Sequence, residues 1–424
     1  MEQINKEKEK VPAIRFKGFN DAWEQRRLGD IFMSLQNNTL SRADLSEKGK
    51  AMNIHYGDVL IKYGEVLNIQ ENNFPMIANE SFVDKLKASF LQNKDIVVAD
   101  TAEDETVGKC SEITGLSNEI VVSGLHTIPY RPLISFATGY LGYYMNSDSY
   151  HKQLLPLMQG IKVTSISKTS MQNTEIKYPE SQNEQRKLGL FFIDLDNLIT
   201  LHQRKCDQLK NVKKSLLEKI FPKDGEVYPD VRFKNFTDAW EQRRFKELVL
   251  IERGGSPRPI QDYIIDNDEE GINWVKIGDA PEFGNRIEKT SEKIKQSGLP
   301  KTRQVFPGDL ILSNSMSFGK PYIMGISGCI HDGWLLIRDS NKIFDQQFLC
   351  QLLGTDQMID QYVSLAAGST VNNLNKDLVG STFVTYPSLA EQKTVSLFFK
   401  KFDTLITLHQ RKCDQLKNVK KSLL

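Results

Sequence analysis

The chain has 424 residues but only five cysteines, and no two of them have Cys-x-x-Cys spacing. It contains no run of about 18 apolar residues, the length that a membrane-spanning helix needs. Its charged opening, MEQINKEKEK, is not followed by an apolar stretch, unlike a secretory signal. These absences predict a reduced, cytoplasmic chain with no structural zinc site and no membrane span.

The usual catalytic motifs are also missing. There is no Pro-Pro, so the Asn-Pro-Pro-Tyr motif that clamps a flipped adenine is absent. Gly108-Lys109 and Gly319-Lys320 both lack the Ser or Thr that follows in a nucleotide-binding P-loop, and neither HExxH nor GxSxG occurs. We therefore predict that the chain is not an enzyme and has no catalytic or metal residues.

What the sequence does contain is a duplication. LITLHQRKCDQLKNVKKSLL occurs at 198–217 and again at 405–424, and RFKGFNDAWEQRR at 15–27 returns as RFKNFTDAWEQRR at 232–244. The stretches between these repeats are dissimilar. A constant frame with two variable inserts predicts a protein that makes two different readings with one geometry.

The repeats divide the chain into six predicted segments. These are an N-terminal tail with the first opening segment (1–27), a first domain (28–182), a long helix (183–221), a linker with the second opening segment (222–244), a second domain (245–389) and a second long helix (390–424). Each insert of about 150 residues is large enough to form its own core.

The charge of the inserts is mildly acidic. The first has 13 basic and 18 acidic side chains, a net charge of −5, and the second has 14 and 18, a net charge of −4. Contact with a polyanion must therefore come from a local patch. This average favours an alternative function, a coiled-coil scaffold that binds protein partners and no DNA.

The repeated helices have apolar residues at heptad spacing, which predicts a coiled coil about 55 Å long. We expect antiparallel pairing of the two copies, with His and Lys layers that set the register rather than bind metal. The predicted seam consists of Leu195, Leu198, His202, Lys205, Leu209, Val212 and Leu216 in the first copy and Phe402, Leu405, His409, Lys412, Leu416 and Val419 in the second.

The inserts have the pattern of mixed α/β domains. Short apolar runs bounded by Gly, Pro and Asp predict strands at 58–61, 95–99 and 127–130 in the first and at 272–277, 310–313 and 334–338 in the second. Helices are predicted at 140–155 and 344–353.

Several short motifs follow one another in the same order in both halves. After the DAWEQRR opening, the second half has Gly308-Asp309 followed by Gly319-Lys320, then AGSTVNNLN at 367–375, Tyr386-Pro387 and Glu391-Gln392. The first half repeats this more loosely with Asp95, Gly108-Lys109, GIKVTS at 160–165, Tyr178-Pro179 and Glu184-Gln185. In this doubled order the chain resembles the specificity (S) subunit of a type I restriction-modification enzyme over nearly its whole length.

The resemblance implies two α/β target-recognition domains and two long helices, conserved in that family, that form an antiparallel coiled coil with a pseudo-two-fold internal repeat. It implies a DNA-recognition subunit whose domains each read one half of a bipartite target in double-stranded DNA. The implied partners are two adenine methyltransferase (M) subunits and nuclease/translocase (R) subunits. S-adenosylmethionine, ATP and Mg would belong to those partners, with no cofactor in this chain.

Candidate DNA contacts are polar residues of loops that follow strands, because such side chains reach base edges or phosphates. For each one the alternative is a solvated loop residue. The candidates are Asn38, Arg42, Lys62, Lys109, Lys162, Thr164 and Lys168 in the first domain and Arg253, Ser256, Arg258, Lys276, Asn314, Ser315, Lys320, Asn372, Asn373 and Asn375 in the second.

Two features are expected to avoid DNA. The acidic loop at 99–106 should bring only Asp100 or Thr101 near the duplex, because consecutive carboxylates repel phosphates. The aromatic residues Phe16, Phe19 and Trp23 are copied as Phe233, Phe236 and Trp240. Since parts that read different sequences should differ, we predict that these copied rings form packing clusters.

Overall fold

The computed structural model describes Pro12 and residues 14–265, 271–281, 284–314, 319–366 and 374–424. The chain divides into two units, Met1–Leu201 with Cys413–Leu424, and His202–Lys412. Each of the two long helices therefore contributes residues to both units.

The first unit contains one larger sheet, one smaller sheet and two short ladders. Its strands are β1 (Glu24–Arg27), β2 (Phe32–Ser34), β3 (Ala51–Ile54), β4 (Val66–Asn68), β5 (Met76–Ile77), β6 (Ile96–Ala99), β7 (Thr101–Ala102), β8 (Cys110–Thr114), β9 (Val121–Ser123), β10 (Thr127–Pro132), β11 (Thr164–Ser165) and β12 (Glu175–Tyr178). The larger sheet has the order β2, β10, β6, β8, β4, and the smaller one β5, β3, β9. The ladders join β1 to β12 and β7 to β11.

Short helices connect these strands, and a long one follows them. They are α1 (Leu28–Ile31), α2 (Tyr56–Ile61), α3 (Glu80–Lys85), α4 (Tyr140–Met145), α5 (Asp148–His151), α6 (Lys168–Gln172) and α7 (Gln182–Ile220). The last is 39 residues long and contains the first copy of the repeat.

The second unit has a similar set of elements. Its strands are β13 (Glu241–Arg244), β14 (Leu250–Arg253), β15 (Ile264–Ile265), β16 (Ile272–Val275), β17 (Arg286–Ile287), β18 (Glu292–Ile294), β19 (Arg303–Val305), β20 (Leu310–Ser313), β21 (Pro321–Met324), β22 (Gly328–Ile330), β23 (Trp334–Arg338) and β24 (Phe383–Tyr386). Its helices are α8 (Gln346–Leu353), α9 (Asp356–Ala366), α10 (Lys376–Ser381) and α11 (Leu389–Leu423).

One of the two five-stranded sheets of the second unit matches the larger sheet of the first unit, and we call it the larger sheet of the second unit. The larger sheet of the second unit has the order β14, β23, β20, β21, β17, and in both units the first three junctions are antiparallel and the last is parallel. The other sheet has three strands in the first unit and five in the second, with the order β15, β18, β16, β22, β19, but the pairs β3/β9 and β16/β22 are both parallel. The predicted mixed α/β class is confirmed, and the dissimilar inserts have the same fold.

Both faces of each larger sheet are buried, because successive side chains of a strand point to opposite faces. In the first unit Ile96 and Val98 belong to one apolar core and Val97 to another. In the second unit Leu310 and Ile311 divide in the same way. A sheet buried on both faces explains why these strands are continuous apolar runs.

Two predicted elements of the first insert need correction. The predicted strand at 58–61 is wrong, since these residues belong to α2. The side chain of His55 accepts a hydrogen bond from Gly57 N and so caps this helix, while Val59 is buried. The predicted helix at 140–155 is interrupted, because Ser147 caps a separate helix and accepts a hydrogen bond from Tyr150 N. A short apolar run has too few residues for its periodicity to distinguish helix from strand.

Copied ion pairs join each opening segment to a long helix. Arg15 donates to both carboxylate oxygens of Glu184 at 2.6 and 2.7 Å, and Arg232 donates to both of Glu391 at 2.8 Å. Both carboxylates are buried. These hydrogen bonds raise the pKa of the two arginines. The glutamates of the Glu-Gln motif are therefore structural.

The glutamines of the same motif clamp the loops beside them. Gln185 accepts a hydrogen bond from Ala137 N at 2.9 Å and donates to Pro179 O at 2.7 Å. Gln392 accepts from Asp345 N at 2.9 Å and donates to the carbonyl of Pro387 at 2.9 Å. Each domain is thus fixed to the start of a long helix by the same pair of residues.

The copied aromatic residues make packing contacts. Trp240 is buried, and the Phe233 ring lies 5.4 Å from that of Phe398 in an edge-on arrangement. In the first unit Trp23 contacts Tyr140 edge-on at 6.1 Å. These contacts agree with the predicted packing clusters.

In the second unit the long helices run antiparallel. His202 Nδ1 lies 2.9 Å from His409 Nδ1, and Lys213 Nζ lies 2.5 Å from Asp403 Oδ1. Residue numbers on α11 thus fall as those on α7 rise. The two histidines occupy the helix interface, where a polar pair of fixed geometry favours one register.

In the first unit the ends of the same helices are also antiparallel. Cys413 Sγ lies 3.9 Å from Ile199 O, and Lys420 Nζ binds Asp196 at 2.7 Å and Glu65 at 2.9 Å. The lysine ammonium is therefore held by two carboxylates at the helix interface.

The structure places one of the two predicted heptad columns in the interface and corrects the other. Leu195 is buried, and the other members of its column in both copies are half-buried: His202, Leu209, Leu216, Phe402, His409 and Leu416. The members of the second predicted column are exposed: Leu198, Lys205, Val212, Leu405, Lys412 and Val419.

The interface column lies one residue further along, and its members are Ile199, Cys206, Lys213, Ile406, Cys413 and Lys420. Leu198 and Ile199 are both apolar, as are Leu405 and Ile406, so hydrophobic spacing could not decide between them. Cysteine behaves as a small buried apolar side chain at this interface.

Among the described residues, no helix combines the length and the apolar character that crossing a membrane requires.

Candidate nucleic-acid interface

In both units several strand ends meet at one edge of the larger sheet, because antiparallel neighbours place the end of one strand beside the start of the next. β2 and β6 end where β10 and β8 begin, and β14 and β20 end where β23 and β21 begin. We call this the loop edge. It comprises residues 34–38, 55–58, 100–109 and 124–126 in the first unit and residues 253–258, 276–279, 314, 319–320 and 331–333 in the second.

At the second loop edge four predicted residues converge on Asp332. Ser256 Oγ donates to Asp332 Oδ1 at 3.0 Å, and Arg258 Nη2 lies 3.7 Å from Oδ2. The side chains of Arg253 and Asn314 donate to the Asp332 carbonyl at 3.3 and 2.8 Å. The Arg258 side chain is 82% exposed. The cluster therefore presents an exposed guanidinium held beside a fixed carboxylate.

His331 also belongs to this cluster, and the contacts of its two ring nitrogens indicate which of them carries the proton in the neutral ring. Its Nδ1 accepts a hydrogen bond from Gly333 N at 2.9 Å, so in the neutral ring the proton is on Nε2. Nε2 lies 2.9 Å from Asp332 Oδ1 and donates to it. The Asp332 carboxylate is thus oriented by both His331 and Ser256.

The remaining candidates of the second domain are dispersed. Lys276 Nζ forms an ion pair with Glu292 at 2.5 Å. Lys320 is exposed, with Nζ 5.3 Å from the centre of the Tyr322 ring. Asn375 caps α10, accepting hydrogen bonds from two backbone amides. Three candidates lie outside the described residues: Ser315, Asn372 and Asn373.

The first loop edge carries a different polar cluster. His126 Nδ1 lies 3.4 Å from both Asp100 Oδ1 and Thr101 Oγ1, and Thr101 donates to Asp100 at 2.7 Å. The Tyr56 ring meets the His126 ring edge-on at 5.3 Å. This cluster thus contains a carboxylate and an imidazole, as the second cluster does, but a phenol ring rather than a guanidinium.

Arg42 lies near this cluster, next to Asp58 and His55. Its guanidinium is 3.1 Å from Asp58 Oδ1 and more than half exposed. His55 lies close by, and burial lowers its pKa, with the Arg42 charge adding to the effect. Arg42 therefore offers an exposed positive charge for a phosphate contact at this edge.

The loops after β10 bring three more candidates to the first loop edge. Thr164 lies in β11, which pairs with β7 directly after Asp100. Lys162 is exposed in the segment before it. Lys168 lines a cavity of about 500 Å³ together with Gln36 and Asn37. Thr164 and Lys168 thus lie near the end of β6.

Asn38 is corrected as a candidate contact. It is buried, and its Nδ2 donates to Asn53 Oδ1 at 2.7 Å and to Ser123 O at 2.9 Å, while its Oδ1 accepts from Leu40 N at 3.1 Å. Both amide protons and the oxygen are engaged inside the domain. Asn38 therefore shapes the loop and does not present a free amide to a ligand.

Two lysines of the first domain also bond within the protein. Lys62 Nζ donates to Asn73 O at 2.7 Å, and Lys109 Nζ donates to Leu60 O at 2.7 Å. Burial lowers the pKa of Lys109. Lys62 sits beyond the loop edge at the end of α2, and Lys109 points back into the domain.

Asp332, His331 and His126 were missed from the sequence. Each lies in the short loop just before a strand that was predicted correctly, at 334–338 or 127–130. The predicted contacts were polar residues in loops that follow strands. In an antiparallel sheet, the residues before the next strand lie at the same edge, and this rule would have found them.

The chain thus has two domains of one fold, each with a polar loop edge of different composition. The family model of the type I restriction modification DNA specificity domain matches the chain twice, at residues 20–211 and 237–418. Since the two matches cover most of the sequence, the chain belongs to the family of type I restriction-modification specificity subunits.

Two similar relatives come from Methanocaldococcus jannaschii. The type I restriction enzyme MjaVIII specificity subunit is 26% identical over 281 residues, which are 63% of this chain and 64% of that subunit. The putative type I restriction enzyme MjaX specificity subunit is 22% identical over 419 residues, 95% of this chain and 92% of that one.

Solved structures show the same fold. The S subunit of the type I restriction-modification system from M. genitalium has a TM-score of 0.55 at 13% identity, with 98% of this chain and 97% of that chain covered. A chain from a study of complex assembly and conformational transition of the type I R-M system has a TM-score of 0.58 at 16% identity, with 97% and 98% covered.

Proposed function

We propose that this chain is the DNA-reading subunit of a type I restriction-modification complex. Each domain reads one half of a bipartite target in double-stranded DNA through its loop edge. The long helices set the spacing between the half-sites and dock two adenine methyltransferase subunits. Nuclease/translocase subunits act at the sites that this chain selects.

One observation supports this function most directly: the two loop edges share a fold and an aspartate–histidine contact but differ in the other side chains that they present. The second presents Arg253 and Arg258, a side-chain type that binds guanine bidentately in the major groove. The first presents His126 and Asp100, and a carboxylate accepts a hydrogen bond from the cytosine amino group. The same scaffold with different donors and acceptors is what reading two different half-sites requires.

The exposed leucines of the long helices support partner docking. Leu198 and Leu201 are 44% and 62% exposed in the first unit, and their copies Leu405 and Leu408 are 44% and 61% exposed in the second. Apolar patches on a helix surface mark protein contacts. Because the two patches have identical sequences, they fit two copies of one partner.

We assign the chemistry to the partners. The chain itself has neither the adenine-clamping motif nor a P-loop. On this proposal S-adenosylmethionine binds the methyltransferase subunits, and ATP and Mg bind the nuclease/translocase subunits.

The test is to co-express the chain with its methyltransferase subunit in a host without adenine methylation and to map methylated adenines across the genome. We expect one split motif with a fixed gap between its halves. Exchanging residues 245–389 for the corresponding domain of another specificity subunit should replace one half of the motif and keep the other half and the gap.

Methylation without a split motif would contradict the proposal. If the chain has no DNA affinity in the assembled complex, it acts instead as a coiled-coil scaffold for proteins.

A further inference from the structure

The two larger sheets can be aligned residue by residue at one edge, because an ion pair marks the same place in both. Arg131 in the first unit and Arg338 in the second each bind the aspartate that precedes the central strand. Arg131 lies opposite Met33 on β2, and Arg338 lies opposite Leu250 on β14. Met33 and Leu250 therefore occupy equivalent positions.

Three residues further along the chain stand Gln36 in the first unit and Arg253 in the second. A second contact supports this alignment. Two residues beyond Gln36, the amide of Asn38 donates at 2.9 Å to the carbonyl of the last residue of β9. Two residues beyond Arg253, the amide of Gly255 donates at 3.2 Å to the carbonyl of the last residue of β22. Gln36 and Arg253 thus share one structural position at the loop edge.

The backbone of Gln36 is held in place, but its side chain is available. Gln36 N donates a hydrogen bond to Ser89 Oγ at 3.0 Å. The side chain is exposed, and its amide has no hydrogen-bond partner among the described residues. It lines the cavity of about 500 Å³ together with Asp100 and Lys168. A free amide on a fixed backbone, beside open space, can meet the edge of a nucleobase.

Arg253 is oriented in a similar way at the second loop edge. It is paired with Leu335 in the sheet, and its side chain is exposed. Its Nε donates to Asp332 O at 3.3 Å. Within the part of the chain that the structure describes, its two terminal nitrogens make no hydrogen bond. The guanidinium is therefore held at one nitrogen and offers the other two to a ligand.

The chemistry of the two side chains matches the two purines. In the major groove adenine presents the N7 acceptor and the N6 amino donor, whereas guanine presents the N7 and O6 acceptors. An amide has one donor and one acceptor group and so fits adenine, while two N–H groups of a guanidinium fit guanine. One position of the duplicated sheet thus carries the residue types that distinguish the purines.

We propose that this shared position determines specificity in both domains. Gln36 reads the adenine of an A·T pair in the first half-site, and Arg253 reads the guanine of a G·C pair in the second. The proposal rests on the proposed function and names the bases that two residues read. The adenine read by Gln36 is not the methylated one, because a methyltransferase takes its target base out of the stack.

The experiment compares Gln36→Ala and Arg253→Ala with the parent chain, each co-expressed with the methyltransferase subunit for mapping of methylated adenines. Purified complexes are then tested for methylation and binding of duplexes that carry the mapped motif or a single changed pair. Binding reports the base preference even of a variant that no longer methylates. The half-site of the unchanged domain is the internal control in each variant.

We expect Gln36→Ala to lose about 5- to 150-fold discrimination at one A·T pair of the first half-site. Arg253→Ala should lose a similar factor at one G·C pair of the second. The exchange variants Gln36→Arg and Arg253→Gln should shift the preference to G·C and to A·T at the same positions, since the cavity beside Gln36 has room for the longer side chain.

A split motif in the parent that either alanine variant leaves unaltered would overturn this proposal and leave the proposed function standing. Loss of discrimination at a pair of the other kind, or in the half-site of the unchanged domain, would also overturn it. A parent without a split motif would contradict the proposed function and this proposal together.

Discussion

The two loop edges differ more than the sheets that carry them. In the second unit Arg253, Ser256 and Arg258 gather around Asp332, and an arginine is left exposed. In the first unit the corresponding edge has the Asp100–His126 pair, with Arg42 further along. The strand order and directions are the same in both. The hydrogen-bonding groups at this edge therefore vary without any change in backbone topology.

A second comparison lies inside the sheets. Asp95 and Arg131 form a bidentate ion pair in the first unit, and Asp309 and Arg338 form one in the second. One neighbour differs: opposite Ile96 stands Glu112, whereas opposite Leu310 stands Ile323. Both units thus have the aspartate–arginine ion pair, but only the first has a buried carboxyl group, that of Glu112, opposite the strand residue that follows the aspartate.

The largest effect is expected from the copied ion pairs Arg15–Glu184 and Arg232–Glu391. Glu184→Ala and Glu391→Ala should each lower the free energy of unfolding by about 3–5 kcal/mol, because each leaves a largely buried arginine without its partner. Denaturant unfolding measures the loss, and hydrogen exchange assigns it to the first or the second unit. Glu24→Ala, at a partly exposed site, should stay within about 0.5 kcal/mol of the parent. A large loss in only one of the two variants would show that the units are not anchored alike.

The next effect concerns pH and the first unit alone. Glu112 accepts hydrogen bonds from Gly139 N and Gly142 N, but burial dominates and raises its pKa to about 7 from 4.5. The folded state therefore holds a proton that the unfolded state has released, and stability falls as pH rises from about 4.5 through 7. The loss is at most about 3 kcal/mol.

Glu112→Gln should flatten this pH dependence. Hydrogen exchange at several pH values should show the change in the first unit and none in the second, where Ile323 stands at the matching position. An unchanged pH profile in the variant would mean that another group titrates.

A smaller, selective effect is expected at the second loop edge. Arg258→Ala should relax the half-site read by the second domain by about 1–3 kcal/mol of discrimination, because an exposed guanidinium is lost. Methylome mapping should show the other half-site unchanged. Arg42→Ala is the matched variant for the first domain and should affect only the opposite half. Relaxation of both halves by either variant would contradict separate reading.

No effect is expected from the acidic loop. Replacing Glu103, Asp104 and Glu105 together by glutamine should leave the methylated motif unaltered, because all three side chains are exposed and strand β7 separates them from Asp100. A new motif would place these carboxylates at the DNA.

Local patterns predicted part of the fold well. The strands Leu310–Ser313 and Trp334–Arg338 have their predicted bounds because each is a continuous apolar run between a turn and a polar residue. The antiparallel helix pair followed from the duplicated stripe. The sequence could not show whether Leu198 or Ile199 faces the interface, because both are apolar and either fits the heptad spacing. Contacts with the partner helix decide which of the two is buried.

The candidate site was less predictable for a related reason. Arg253, Arg258 and Asn314 were chosen as residue types in loops, but their convergence on Asp332 depends on which strands are neighbours. Strand order is a long-range property that no local window contains. Asn38 was predicted to be available for DNA, but its amide nitrogen donates hydrogen bonds to Asn53 and Ser123, which are distant in sequence.

The hydrogen bond between His202 and His409 makes the two identical helical segments differ in where a proton lies. The histidines come from identical 20-residue segments and face each other through the same ring atom, Nδ1. Two neutral imidazoles can share such a bond only if one carries the proton and the other accepts it. When both rings are neutral, the identical copies therefore hold different tautomers at this point. Exchange of the donor and acceptor roles gives a second arrangement, so the pair has two tautomeric states for one backbone geometry.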